Sequence, residues 1–224
     1  METNAIKHSD IQAIILDFDG TLADTQPLIV STLHRTLAEL RLPPRSDDEC
    51  KAIIGLPLKE CFVKLAAVDE TTAERCAEVY RRIFDEDNHP GTVVLFPEVL
   101  ETLHELHRHG LMLAICSSRG RPTLDAFVRT FQLEPLVSAV VGADDVSRHK
   151  PDPEPVNAIL EQLHVRPDEA WVVGDASYDI LMGRNAGCHT CGVSYGNQPA
   201  DVLRAAGADR IIERFSELPD LVFE

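Results

Sequence analysis

Apolar residues recur along this chain in two distinct patterns. Residues 12–17, QAIILD, make a short continuous apolar run rich in isoleucine that ends in Asp17. Such a run predicts a buried parallel strand. From Pro27 to about His89 the spacing changes to three and four, the period of amphipathic helices. The segments PLIVSTLHRTLAEL, DDECKAII, PLKECFVKLAAV and ETTAERCAEVYRRIFDED predict a helical insert of about four elements, and NHPGTVVLFPEV, with a glycine and two prolines, is the expected return linker.

Beyond the linker the two patterns alternate. Helices are predicted over 97–109, 121–131, 153–164 and 177–186, between strands LMLAIC, LVSAVVG, AWVVGD and CHTCGV, with a final small strand and helix. Alternation of this kind implies parallel strands joined by crossover helices, a doubly wound α/β core. The expected organisation is a core of residues 1–22 and 93–224 interrupted by a helical cap at 23–92, which 224 residues suffice to build. In such sheets chemistry gathers at the carboxyl ends of the strands.

That placement gives meaning to LDFDGTLADT, where Asp17 and Asp19 stand two apart at a strand end. Residues two apart in an extended segment point to the same side, so both carboxylates can face one crevice. Bare, they repel; a divalent cation relieves the repulsion, and all-oxygen ligands favour Mg²⁺. The alternative reading is a helix-entry device, with Asp24 or Thr25 as N-cap and Pro27 in the first turn. It suits Asp24 and Thr25 but not Asp17 and Asp19, which precede Gly20.

Other strand ends also carry polar groups. AICSSRG places Ser117 and Ser118 after a strand, where a hydroxyl and successive amides can hold an anion, although serines also simply form turns. SRHKPDPEP sets Lys150 before a helix, facing either the crevice or solvent. VVGDASYD ends a strand in Asp175, itself a possible N-cap, with Asp179 one turn later.

Charge narrows the partners. Thirty-seven acidic against 21 basic residues give a net charge of −16, which repels nucleic acid and anionic membranes, so an anionic substrate needs local positive charge. No stretch approaches the ~20 apolar residues of a membrane span, and METNAIKHSD lacks the apolar core of a signal peptide. A cytoplasmic location is expected, with the six cysteines reduced. CHTC (188–191) has redox or zinc spacing, but it lies in a predicted core strand with no second pair to complete a site. His104, His107 and His109 read as a solvated helix end.

Taken in order, DFDGT, Ser117 in CSSR, Lys150 in KPDPEP and GDASYD resemble the four motifs of the haloacid dehalogenase superfamily of phosphatases, across nearly the whole chain. The insert is similar to that family's small helical cap, and GVSYGN…GADRII to its phosphoglycolate phosphatase-like branch. The resemblance implies Asp17 as nucleophile, forming an aspartyl-phosphate, and Asp19 as proton donor and acceptor. It implies Mg²⁺ held by Asp17, Asp175 and the backbone carbonyl of Asp19, with Asp179 behind them. Ser117, the Ser118 amide and Lys150 would bind the transferring group, and Thr21 would brace the loop beside Asp19. In the cap, Gly55 offers close approach and Lys59 a second anion contact, or merely a surface charge. Pro97-Glu98 stands where the family often has Pro-Gly.

The implied substrate is a small phosphorylated metabolite, phosphoglycolate first and pyrophosphate as an alternative, acted on by a monomer or homodimer. A sugar-phosphate mutase uses the same intermediate, but mutases of the family tend to carry Glu-Asp where this chain has Gly174-Asp175. A phosphoacceptor receiver domain has no room for a four-helix insert, and a non-catalytic phosphate binder would not need every motif residue.

Overall fold

The computed structural model describes residues 11–89 and 91–223, so the METNAIKHSD segment read for targeting lies outside the described residues. In chain order the elements are β1 (Ala13–Leu16), β2 (Ala23–Asp24), α1 (Gln26–Glu39), α2 (Asp47–Lys51), α3 (Leu58–Ala66), α4 (Glu70–Asp87), β3 (Val94–Leu95), α5 (Val99–Arg108), β4 (Met112–Cys116) and α6 (Arg121–Thr130). There follow β5 (Val137–Val141), α7 (Glu154–Leu163), β6 (Ala170–Gly174), α8 (Ser177–Ala186), β7 (His189–Val193), α9 (Ala200–Ala206), β8 (Arg210–Ile212) and α10 (Leu218–Phe223).

Six strands form one parallel sheet in the order β5-β4-β1-β6-β7-β8. The chain builds outward from β1 on one side through β4 and β5, then returns to its other side with β6, so β1 is the topological switch point. Its buried residues divide by the alternation of a strand: Ile14 and Leu16 join the core under α5, α6 and α10, whereas Ala13 and Ile15 join the core under α7 and α8. This explains why β1 reads as an uninterrupted apolar run. Among the described residues no helix is long and apolar enough to cross a membrane.

Helices α1 to α4 lie between β2 and β3, which pair antiparallel, Ala23 opposite Leu95. The predicted return linker therefore contains half of a two-residue ribbon, too short to leave a periodic signal. Within the insert, α1 and α3 pack on α4. Local chemistry fixes the helix starts: Ser46 and Glu49 form a reciprocal capping box on α2, and Asp69 accepts the Thr72 amide at 2.8 Å on α4.

Boundaries differ from the pattern in three places. Helix α2 stops at Lys51, and residues 52–55 continue as turns that end in Gly55 at φ +100°. Helix α5 begins at Val99 because Glu98 takes φ +64°, so Pro97-Glu98 makes the tight turn without glycine. The tail holds two helices, α9 and α10, around β8.

Candidate active site

The carboxyl ends of β1, β4 and β6, with the loop that follows β5, converge on one crevice. Asp17 extends β1, its amide donating to the Val173 carbonyl at 2.9 Å, and Ser117 extends β4, its amide donating to Val141 at 3.0 Å. Asp175 follows β6 directly. Asp17, Ser117, Lys150, Asp175 and Asp179 are all buried.

Lys150 is the hinge of the charge arrangement. Its ammonium donates to Asp17 Oδ1 at 2.5 Å and to Asp179 Oδ1 at 2.7 Å. Asp179 Oδ2 accepts the Ala176 amide at 3.0 Å, so both its oxygens are engaged and one of them closes the first turn of α8. Asp175 Oδ2 accepts from the Asn197 amide at 2.5 Å and from Asn197 Nδ2 at 2.7 Å. Among the described residues, one oxygen of Asp17 and one of Asp175 make no hydrogen bond.

Asp17, Asp175 and Asp179 bring carboxylate oxygens within 4.8 Å of one another. Three carboxylates against the single Lys150 ammonium leave an excess of two negative charges in a buried space. Burial pushes the Asp17 carboxyl well up, and Lys150 only partly counters it against the neighbouring Asp179, Asp175 and Asp19. Burial and then Asp179 push Asp175 up to about 7, despite the Asn197 hydrogen bonds. Burial also opposes the Lys150 ammonium, but Asp17 and Asp179 outweigh it and hold it charged. A divalent cation with oxygen ligands fits this donor set, and the free oxygens of Asp17 and Asp175 are the ones available to it.

Asp19 faces away from that cluster. Arg119 grips it through both oxygens, Nη2 to Oδ1 and Nε to Oδ2, the latter at 3.1 Å; Ser117 Oγ stands 3.5 Å from Oδ2. Burial raises the Asp19 carboxyl, but the guanidinium wins and holds it below its ordinary value. Its backbone carbonyl points the other way, 3.4 Å from Asn197 Nδ2. The loop between these groups needs Gly20, at φ +88°, because any Cβ there would strike Asp175 and Asn197.

A cavity of about 710 Å³ opens above, lined on the sheet side by Asp17, Asp19, Ser117 and Arg119 and on the insert side by Leu33 and Tyr80. Ser118 Oγ donates to the Gly55 carbonyl at 2.7 Å and Lys64 Nζ to Tyr178 Oη at 3.1 Å, both joining insert to sheet.

Most residues singled out from the pattern are thus brought together, with adjustments. The Asp19 carboxylate, expected to face one crevice with Asp17, pairs with Arg119, and its backbone carbonyl, the atom implied as a metal ligand, lies beside Asn197, whose side chain also donates to Asp175. The Ser118 side chain reaches the insert. Thr21 is buried, its hydroxyl without a hydrogen bond among the described residues and its carbonyl accepting Tyr195 Oη at 2.8 Å. Gly55 and Lys59 line the cavity, but Lys59 is 46% exposed and its ammonium pairs with Glu74 at 2.7 Å. Thr25 stands at the N-cap of α1 without a capping hydrogen bond. All six cysteines are buried and free, Cys188 and Cys191 among them. Arg119 and Asn197 carry little signal in the sequence, each being only a polar residue in a short loop after a strand.

Comparison with known proteins agrees with this geometry. Residues 14–193 match the family model described as haloacid dehalogenase-like hydrolase. The chain belongs to the haloacid dehalogenase-like hydrolases. A member of similar sequence, the pyrophosphatase PpaX of Bacillus velezensis, is 35% identical over 210 residues, 93% of this chain and 94% of the relative. Among solved haloacid dehalogenase-like structures, one from Bacteroides fragilis superposes with a TM-score of 0.88 at 30% identity, covering 93% of this chain and 99% of its own. A hydrolase from Pseudomonas syringae gives 0.85 at 26%, covering 94% and 97%. The parallel sheet with β1 at its switch point is therefore the haloacid dehalogenase-like fold, and the chain is an enzyme of that family.

Proposed function

We propose that this enzyme is a Mg²⁺-dependent phosphatase that hydrolyses a small phosphate monoester through an aspartyl-phosphate on Asp17. The observation that carries the reading is the convergence of Asp17, Lys150 and Asp175 at the switch point, beneath a cavity large enough for a small metabolite. Asp17 and Asp175, with the Asp19 carbonyl, would hold the cation, which when bound supplies charge neutralisation and Lewis-acid polarisation of the phosphoryl group.

The rest falls to the chain itself. Asp17 attacks phosphorus and the ester oxygen leaves. Lys150 keeps the nucleophile oriented, and it joins Ser117 and the amides after β4 in balancing negative charge on the transferring group. Asp19, ionised beside Arg119, is in the form that accepts a proton from the attacking water; that proton is then available to a leaving oxygen in the next turnover. The helical insert serves as a cap, seated through Ser118–Gly55 and Lys64–Tyr178, and excludes bulk water.

Phosphoglycolate is the first candidate substrate. A pyrophosphatase reading is favoured by the relative of that name in Bacillus velezensis. The test measures phosphate release from phosphoglycolate, pyrophosphate and a hexose phosphate with and without Mg²⁺, beside Asp17→Asn. Metal-dependent release that Asp17→Asn abolishes is expected, and the highest kcat/KM names the substrate. Release that persists in Asp17→Asn overturns the covalent mechanism.

A further inference from the structure

Arg119 makes a set of contacts that an ordinary structural ion pair does not need. Its side chain is 10% exposed, and its guanidinium meets Asp19 in a two-pronged pair. The same group lies over two aromatic rings, its central carbon 4.7 Å from the centre of Phe84 of α4 and 5.2 Å from that of Phe127 of α6. Phe127 in turn stacks at 5.2 Å on Phe18, the residue between Asp17 and Asp19. The Arg119 amide donates to Ser117 Oγ at 3.1 Å. Among the described residues this guanidinium makes the two-pronged contact with the Asp19 carboxylate, while the Ser117 hydroxyl stands 3.5 Å away and the Thr25 hydroxyl also favours its ionised form.

We propose that Arg119 is the positioning residue for Asp19, and that Phe84 makes its grip depend on the helical insert being seated. The inference rests on the phosphatase reading, in which Asp19 takes the proton of the attacking water. A planar fork matches both carboxylate oxygens and packs over aromatic rings, fixing the carboxylate plane; a lysine ammonium supplies charge without that geometry. One ring belongs to the sheet side and one to the insert. Withdrawal of the insert removes one of the two ring contacts and opens the pair to water, which weakens it. Asp19 is then held in its working direction only beneath a closed insert.

The step concerned is the hydrolysis of the aspartyl-phosphate. Water oxygen bonds to phosphorus as the bond from phosphorus to the Asp17 oxygen breaks, Asp17 recovers its carboxylate, and the water proton passes to Asp19. With p-nitrophenyl phosphate the preceding step needs no proton, because nitrophenolate leaves as the anion and the proton on Asp19 is returned to solvent. A misplaced Asp19 therefore slows the second step alone. It appears as a lower kcat with kcat/KM largely held, and as a rapid release of nitrophenolate equal to the enzyme present before slow turnover.

The experiment compares Arg119→Lys, Phe84→Leu, Asp19→Asn and Asp17→Asn with the unaltered enzyme on p-nitrophenyl phosphate and Mg²⁺, by steady-state and rapid-mixing kinetics, after thermal melts confirm folding. Arg119→Lys is expected to lose about 10- to 100-fold in kcat with a stoichiometric burst. Phe84→Leu, which leaves Asp19 and Arg119 in place, should show the same split more weakly. A burst in Asp19→Asn but in neither of the other two, with kcat and kcat/KM falling together, overturns the role of Arg119 and leaves the phosphatase reading standing. No burst in Asp19→Asn removes the proton-accepting role and this inference with it, and turnover by Asp17→Asn overturns the reading beneath both.

Discussion

The Lys150 ammonium lies 2.5 Å from the Asp17 carboxylate in a site where both side chains are buried. It is the only cation that touches the acidic cluster among the described residues, and it also holds Asp179 at 2.7 Å. Lys150→Met should therefore lower kcat/KM by about 100-fold or more and cost roughly 3–5 kcal/mol of stability, because it leaves buried carboxylates uncompensated. Thermal melts with and without Mg²⁺ check the cause: added cation should restore part of the lost stability without restoring activity.

The cluster also predicts how stability depends on pH. Burial and Asp179 push Asp175 up to about 7, so the folded chain keeps a proton there that the unfolded chain releases near 3.8. Stability from this group is fully present below the unfolded value and is lost as pH rises through about 7. Without metal, the melting temperature should fall by about 5–10 °C between pH 5 and 8 on this account. Saturating Mg²⁺ should flatten the slope, and Mg²⁺ binding should release protons and weaken as pH falls below 7, both measurable by calorimetry. A slope unchanged by Mg²⁺ would place the cation elsewhere.

Asn197 fixes Asp175 by two hydrogen bonds to one oxygen, leaving the other oxygen free. Asn197→Ala keeps the backbone bond and deletes the side-chain one, together with the contact to the Asp19 carbonyl and the bond from Gln26 Nε2 at 2.8 Å. Mg²⁺ affinity should drop about 10- to 100-fold with little change in fold, as titration calorimetry and far-UV circular dichroism would show.

What the sequence reveals and what it hides follow from the range of the interactions. The sheet was legible because β1, β4 and β6 are short apolar runs buried on both faces, and because Asp17, Ser117 and Asp175 each follow such a run directly. Register and strand order then bring these residues together with no further specification. Lys150 was legible as a motif residue, although its partners lie 133 and 29 positions away. Arg119 was not, since its meaning comes from Phe84 and Asp19, which only tertiary packing brings beside it. Asn197 was hidden for the same reason, its partner lying 22 positions earlier, before α8 and β7. The ribbon of β2 and β3 was hidden by its length. Lys59 shows the opposite case: its sequence neighbourhood suggests an anion contact, yet Glu74 on the next helix already pairs with it.

That contrast gives a prediction about how the insert meets the sheet. Lys59 and Glu74 form an exposed pair within the insert, so Lys59→Ala should change KM for the best substrate by less than about twofold. Ser118 instead crosses between the two parts, its hydroxyl donating to the Gly55 carbonyl at 2.7 Å in a half-buried position. Gly55 at φ +100° presents that carbonyl from a backbone conformation that side chains rarely adopt, close to Ala176 and Tyr178. Ser118→Ala removes one hydrogen bond worth about 1 kcal/mol, which corresponds to roughly fivefold in the equilibrium that seats the insert. KM should rise by about that factor while the melting temperature stays nearly constant. If Lys59→Ala raises KM more than Ser118→Ala does, the second anion contact lies on α3 after all, and the Glu74 pair exchanges for substrate on binding.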